Sequence, residues 1–212
     1  AYTATASNFD KRIFLYQDLL VTVAAGNYGR DANADGYVDV DSISSLGAAK
    51  NVLSVGASDS LRLAPAGYSE YTWGFLLASY FPAQPTSGDY VSDNIAELAA
   101  FSSRGPTNDG RIKPDLVAPG TNIVSTRAST AVLTNWGIYE TNSQYMYNGG
   151  TSMASPLAAG AAALVRDYYI DKLLVASPSA ALIKATLINT AVDITGYGNS
   201  SQEAGLPIPN MH

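Results

Sequence analysis

Gly149-Gly150-Thr151-Ser152-Met153-Ala154-Ser155-Pro156, followed by Leu157-Ala158-Ala159-Gly160-Ala161-Ala162-Ala163-Leu164-Val165, joins a glycine-rich approach to an alanine-rich helix. The first N–H groups of a helix have no internal partners, and the helix dipole places partial positive charge there. A serine in that first turn keeps its own N–H free to face a developing oxyanion while its hydroxyl faces a substrate. Gly149 and Gly150 let another chain approach closely, and Pro156 is read as early enough in the helix for its missing N–H to cost little. The plainer alternative is that Thr151 or Ser152 only caps a buried helix.

Upstream, Ser7 with Asp10 three residues later, then Ile13, Phe14 and Tyr16, predicts a capping-box start on a short amphipathic helix. Leu19 to Ala25 is apolar and valine-rich, as a strand buried on both faces would be, and Gly26-Asn27 ends it. Helix followed by such a strand points to α/β with a parallel sheet. Asp31, Asn33, Asp35, Tyr37 (through its carbonyl) and Asp39 stand at alternate positions with Gly36 sixth, the spacing of an EF-hand-type calcium loop. The twelfth position is Ser42, which is not bidentate, so Asp41 is its expected substitute. The competing reading is a surface loop of Asx turns.

Lys50 to Ala57 predicts a second buried strand. From Leu61 to Ala100 aromatic residues lie among Pro and Gly with no sustained period, which predicts a loop-rich insertion over 61–100 held by aromatic packing. Asn122 to Thr126 reads as a strand, Thr134 to Tyr147 as a polar surface loop, the run Leu157 to Val165 as a buried helix, and Ser177-Pro178-Ser179 as the start of a last helix. The tail from Gly196 reads as irregular. The chain has 212 residues, 47% hydrophobic and 14% charged, enough apolar material for a core and against disorder. Its net charge of −6 and lack of a Lys/Arg cluster argue against nucleic acid. It has no cysteine, so no disulfide framework. No apolar run reaches membrane-spanning length, and no basic-then-apolar leader opens the chain.

Three blocks carry a family resemblance. Gly150-Thr151-Ser152-Met153-Ala154-Ser155-Pro156 resembles the nucleophile motif of the subtilases, the subtilisin-like serine proteases. Leu157 stands where many members have histidine. Ala24-Ala25-Gly26-Asn27 resembles their oxyanion-hole segment, and Phe101-Ser102-Ser103-Arg104-Gly105-Pro106 through Gly120 resembles the block between the two. The resemblance implies Ser152 as nucleophile and Asn27 as oxyanion donor. It implies Ala24, Ala25, Gly26, Gly150 and Thr151 as substrate-binding, with Phe101 toward the leaving-group side. An amide NH₂ is a suitable oxyanion donor, being neutral and needing no protonation.

The fold implied is α/β, three-layer αβα with a mostly parallel sheet of subtilisin type. Subtilases order their triad Asp, His, Ser, whereas the only histidine here is His212. Residues 1–212 are therefore expected to be the C-terminal portion of a peptidase domain, with the sheet incomplete and the N-terminal part of the same domain as its partner. The substrate expected is a polypeptide and the location extracellular, with calcium structural and no cofactor needed for catalysis. A degenerate subtilase that only binds peptides is the alternative. An α/β-hydrolase esterase fits less well, because Gly150-Thr151-Ser152-Met153-Ala154 lacks the second glycine of that family's nucleophile elbow.

Overall fold

The computed structural model describes residues 1–62, 66–130, 132 and 136–194. His212 and the tail from Gly196 lie outside the described residues. Helix α1 spans Ala4–Leu15 and leads into strand β1 (Thr22–Ala24), followed by β2 (Leu53–Ser58) and β3 (Leu116–Pro119). These three strands are parallel in the order β1-β2-β3, with Thr22 opposite Leu53 and Val55 opposite Leu116. Parallel neighbours require long crossovers, and here they consist of the acidic loop and the 61–100 insertion. β4 (Ile123–Thr126) and β5 (Tyr145–Asn148) form a separate antiparallel pair. Helix α3 (Thr151–Asp171) crosses the parallel sheet, and α4 (Ala180–Asn189) packs beside α3. The described elements are α/β with an incomplete parallel sheet, as expected.

Several local expectations are corrected. α1 begins three residues before Ser7, with Thr3 as the N-cap whose hydroxyl accepts the Ala6 N–H. Asp10 is buried inside that helix, where its carboxylate accepts the N–H groups of Lys50 and Asn51 at 2.9 and 2.8 Å. β2 is buried at every residue, but β1 is only half-buried because it forms the edge of the sheet. Residues 145–147, read from their composition as the end of a polar loop, belong to strand β5. Its Tyr and Asn side chains sit well in a short two-stranded ribbon.

α3 is not a buried helix. Its inward stripe is Thr151, Ala154, Ser155, Ala158 and Ala162, while Leu157 is 45% and Leu164 73% exposed. Nor does Pro156 fall in the first turn. It is the sixth helical residue, so α3 lacks the N–H that would otherwise reach the carbonyl of Ser152.

The core gathers Leu53, Val55 and Ala57 of β2 with Leu116, Ala154 and Ala158 on one side. The buried rings Trp73, Phe81 and Phe101 join it from the insertion and its exit. Trp73 meets Phe81 and Phe101 edge-on, with centroids 6.1 and 5.6 Å apart, so aromatic packing does hold the 61–100 segment. α2 (Trp73–Leu76) and a 3₁₀ turn (Thr86–Gly88) interrupt it. Small residues on α3 allow that helix to lie close to the sheet.

One ion cluster ties the layers together. Asp115 accepts the Ser54 N–H at 2.7 Å and pairs with Lys113 at 2.6 Å and Lys184 at 3.3 Å, while Lys184 also donates to the carbonyl of Val52. The Lys113 side chain is 3% exposed, and burial lowers its ammonium below the ordinary value, opposed by Asp115. Asp115→Asn leaves that buried charge without its counter-ion and is expected to cost about 3–5 kcal/mol at neutral pH. Because Lys113 binds its proton more weakly folded than unfolded, stability in this variant rises with pH. The deficit should shrink as the solution approaches the ordinary lysine value of 10.5. Urea unfolding at pH 7 and pH 10 measures both effects.

Candidate active site

The site is built where the end of β1 meets the start of α3. Beyond Ala24, Ala25 is fully buried and donates its N–H to the carbonyl of Val55, which fixes the strand end. Gly26 follows with φ +120° and Asn27 with an exposed side chain. Opposite them, Gly150 is the N-cap of α3, Thr151 its first residue and Ser152 its second. Thr151 is buried and Ser152 exposed. Gly150 donates its N–H to the carbonyl of Gly120 at 2.8 Å, so the end of β3 sets its depth.

Thr151 connects the two halves. Its backbone N–H and its hydroxyl both donate to Asn27 Oδ1, at 2.9 and 2.8 Å, and its Oγ1 accepts the N–H of Gly26 at 3.3 Å. A carbonyl oxygen has two lone pairs, and both are used here. The assignment of oxygen and nitrogen in the Asn27 amide follows from these two donors, and Nδ2 is turned the other way. The first carbon of a side chain added at Gly150 would stand 3.2 Å from Asn27 Nδ2 and 3.7 Å from both Ser152 N and Met153 Sδ. Two nitrogen donors thus border one small space, which is open because residue 150 has no side chain and holds φ +145°.

The block at 101–104 clamps the loop that carries Asn27, a role that its turn-like composition does not reveal. Gly29 donates to the carbonyl of Phe101, Ser103 N–H to the carbonyl of Gly26, and Tyr28 N–H to Ser103 Oγ. Arg104 is buried and donates to the carbonyls of Ala100 and Ser102, and burial lowers its guanidinium to about 9. Phe101 is buried between Trp73 and Trp136. It is a core residue of the clamp, not the exposed leaving-group contact expected from the resemblance.

The acidic loop is a separate neighbourhood, docked through Asp31 N–H on Tyr80, Gly36 carbonyl on Thr86 and Asp41 N–H on Gly105. Both carboxylate oxygens of buried Asp31 accept loop N–H groups, from Asp35 at 3.0 Å and Gly36 at 2.9 Å. Asn33 and Asp35 close Asx turns onto Asp35 N–H and Tyr37 N–H, and Asp39 accepts from Ala32. Asp41 is exposed with φ +61°. These are the contacts of an Asx-turn loop. Each accepting oxygen keeps a further lone pair, and the all-oxygen donor set suits a hard cation such as calcium.

The sequence profile of the Subtilase family, Peptidase_S8, matches residues 2–206. The chain belongs to the subtilase family. It is 28% identical over 250 residues to the serine protease/ABC transporter B family protein tagD of Dictyostelium discoideum, covering 92% of this chain and 13% of that protein. To the serine protease AprX of Bacillus subtilis it is 34% identical over 148 residues, 69% of this chain and 26% of AprX. This subtilase chain therefore spans only a small part of the length of those relatives. The S41 psychrophilic protease shares the fold, with a TM-score of 0.55 and 24% identity over 92% of this chain and 48% of that one.

One contact next to the 149–152 turn is testable through packing alone. Trp136 stacks on Tyr68 at 5.2 Å, and its ring lies against Gly149, where an added side-chain carbon would meet it at 2.1 Å. Gly149→Ala is expected to destabilise by about 1–3 kcal/mol, the range for overpacking. Pairing it with Trp136→Leu should recover part of that loss. A double-mutant cycle by denaturant unfolding measures the coupling.

Proposed function

We propose that this chain carries the nucleophile and the oxyanion hole of a subtilisin-like serine endopeptidase. The observation that carries the reading is the shared space between Asn27 Nδ2 and Ser152 N, with Thr151 holding the asparagine by its oxygen. In this reading Ser152 Oγ attacks the scissile carbonyl carbon, and the carbonyl oxygen takes on negative charge between the two donors. Donors fixed in advance need no rearrangement as that charge forms, which makes them worth several kcal/mol. Collapse expels the amine and leaves an acyl group on Ser152, which water then removes. Ala24, Ala25, Gly26, Gly150 and Thr151 form the rim against which the polypeptide lies.

The serine hydroxyl needs a base to take its proton, and the only histidine of the chain is His212. We assign the base and its orienting aspartate to the N-terminal part of the same catalytic domain, outside these 212 residues. The half-buried edge strand β1 and the exposed Leu157 and Leu164 of α3 are surfaces that such a segment would cover. No helix among the described residues is long and apolar enough to cross a membrane. With the family's habit of secretion, an extracellular location is the working assignment. The histidine content also favours a second reading, a degenerate subtilase that only binds peptides.

Labelling separates the two. In the full-length protein a serine-directed fluorophosphonate should modify Ser152 and not Ser152→Ala; equal labelling of both would end the protease reading. Asn27→Ala should lower kcat by about 10²–10³ with little change in KM, a magnitude taken from the equivalent asparagine of subtilisin itself. Thr151→Val should lose part of the same factor by freeing the Asn27 amide, and the 212 residues alone should hydrolyse little.

Calcium in the acidic loop is a second proposal, structural in role, with Asp31, Asn33, Asp35, the Tyr37 carbonyl, Asp39 and Asp41 as its oxygen ligands. A bound ion would screen carboxylates that the loop crowds together, and hydrolysis by serine does not require it. Calcium should then raise the thermal midpoint of the full-length protein, with a smaller rise in Asp35→Asn. An unchanged calcium response in that variant would leave the loop as Asx turns alone.

A further inference from the structure

Just past the C-terminal end of β2, three carboxylates meet without a role in the chemistry above. Asp59 directly follows β2, and Asp93 and Glu97 end the long insertion. One oxygen from each lies within 4.8 Å of the others. Asp59 is 1% exposed and Glu97 8%, while Asp93 opens to solvent. Three like charges so close, two of them buried, need either neutralisation or a counter-charge.

The hydrogen bonds hold the carboxylates in place. Asp59 N–H donates to the Glu97 carbonyl at 2.9 Å, Ser92 N–H donates to Asp59 Oδ2 at 3.3 Å, and Asn94 Nδ2 donates to Glu97 Oε1 at 2.7 Å. Ser92 is itself fixed, with φ +74° and its hydroxyl accepting from buried Asn122. Asp59 Oδ1 is left buried with no hydrogen-bond partner. A buried acceptor without a donor is rare in a native protein and requires an explanation. Arg104 attracts Asp59 electrostatically, but its guanidinium donates to the carbonyls of Ala100 and Ser102.

We propose that Asp59, Asp93 and Glu97 form a calcium site, with Asp59 Oδ1 as its buried ligand and Asp93 as its solvent-facing one. An all-oxygen set with several carboxylates selects a hard cation. Calcium accepts several protein carboxylates in a flexible shell, whereas magnesium retains most of its water. The three oxygens lie within 4.8 Å of one another, close enough for one ion to touch all three. Asp59 and Glu97 flank residues 60–96, whose ends are already joined by the bridge of Ser58 to Leu98. An ion here fastens the two ends of that insertion together beside β2. The site is independent of the 31–41 loop and of whether Ser152 is a nucleophile.

Calcium added to the chelated full-length protein, followed by calorimetric titration and thermal unfolding, tests the site. Asp93→Asn is the primary variant, because its exposed side chain can change without disturbing the core, and circular dichroism confirms its fold. The expected result is the loss of one calcium equivalent, or a drop in its affinity of about tenfold or more, with a smaller calcium-induced thermal shift. Asp35→Asn should leave that equivalent in place, which keeps this site distinct from the acidic loop. Wild type and Asp93→Asn titrating alike would overturn the proposal, as would wild type taking up no calcium. A calcium-free Asp59→Asn variant more stable than wild type, with the calcium response unchanged, would also overturn it and assign the cluster to a shared proton.

Discussion

Two hydrogen bonds from one residue, Thr151 N–H and Thr151 Oγ1 to the side-chain oxygen of Asn27, hold the site together. They join the end of the edge strand β1 to the first turn of α3 across 124 positions of sequence. With both lone pairs of Oδ1 engaged, the amide has one orientation, and its NH₂ faces the space beside Gly150. An asparagine free to flip would present an acceptor there half the time, which would not serve the oxyanion role proposed for it. Threonine at the first helical position therefore does more than begin a helix. It selects which end of another residue faces the space beside Gly150.

Much of the remaining structure supports that junction from behind. The carbonyl of Gly120 receives the N–H of Gly150, so the end of β3 sets how deep the 149–152 turn sits. The 101–104 block receives or donates a hydrogen bond at Gly26, Tyr28 and Gly29 and is anchored by the buried Arg104. Beneath both, β2 is buried along its full length and receives α3 through alanines that bring helix and sheet close. The ion cluster at Asp115 fastens the far end of the same strands to α4. Rigidity at the junction thus comes from elements remote in sequence, which suits a site whose donors must be in place before charge forms.

The outward faces follow a different pattern. Among the described residues β1 has one strand neighbour, and α3 carries leucines into solvent on the side away from the sheet. A central helix of a three-layer domain would have both sides covered. Here one side is covered within these residues, consistent with a chain that spans about half of a solved structure of its fold.

By itself the sequence determined the family, the parallel α/β class, β2 and the helix starting at Ser179, because each is encoded locally. Glycine, small residues and a serine in fixed order mark a helix entry, an unbroken apolar run marks a central strand, and Ser before an alanine-rich stretch marks a cap. Asn27 and Ser152 were legible as candidates for the same reason. What only the tertiary structure decided was their relation to one another. The orientation of the Asn27 amide, the clamp by Ser103 and Arg104, the burial of Phe101 and the half-exposure of α3 all depend on partners dozens of residues away. A periodicity reports which face of an element is apolar, but not whether anything covers it. The four-residue offset of Thr3 against Ser7 and the strand at Tyr145–Asn148 show the same limit on a smaller scale. Competing caps and polar strands differ little in local preference, so long-range packing decides between them.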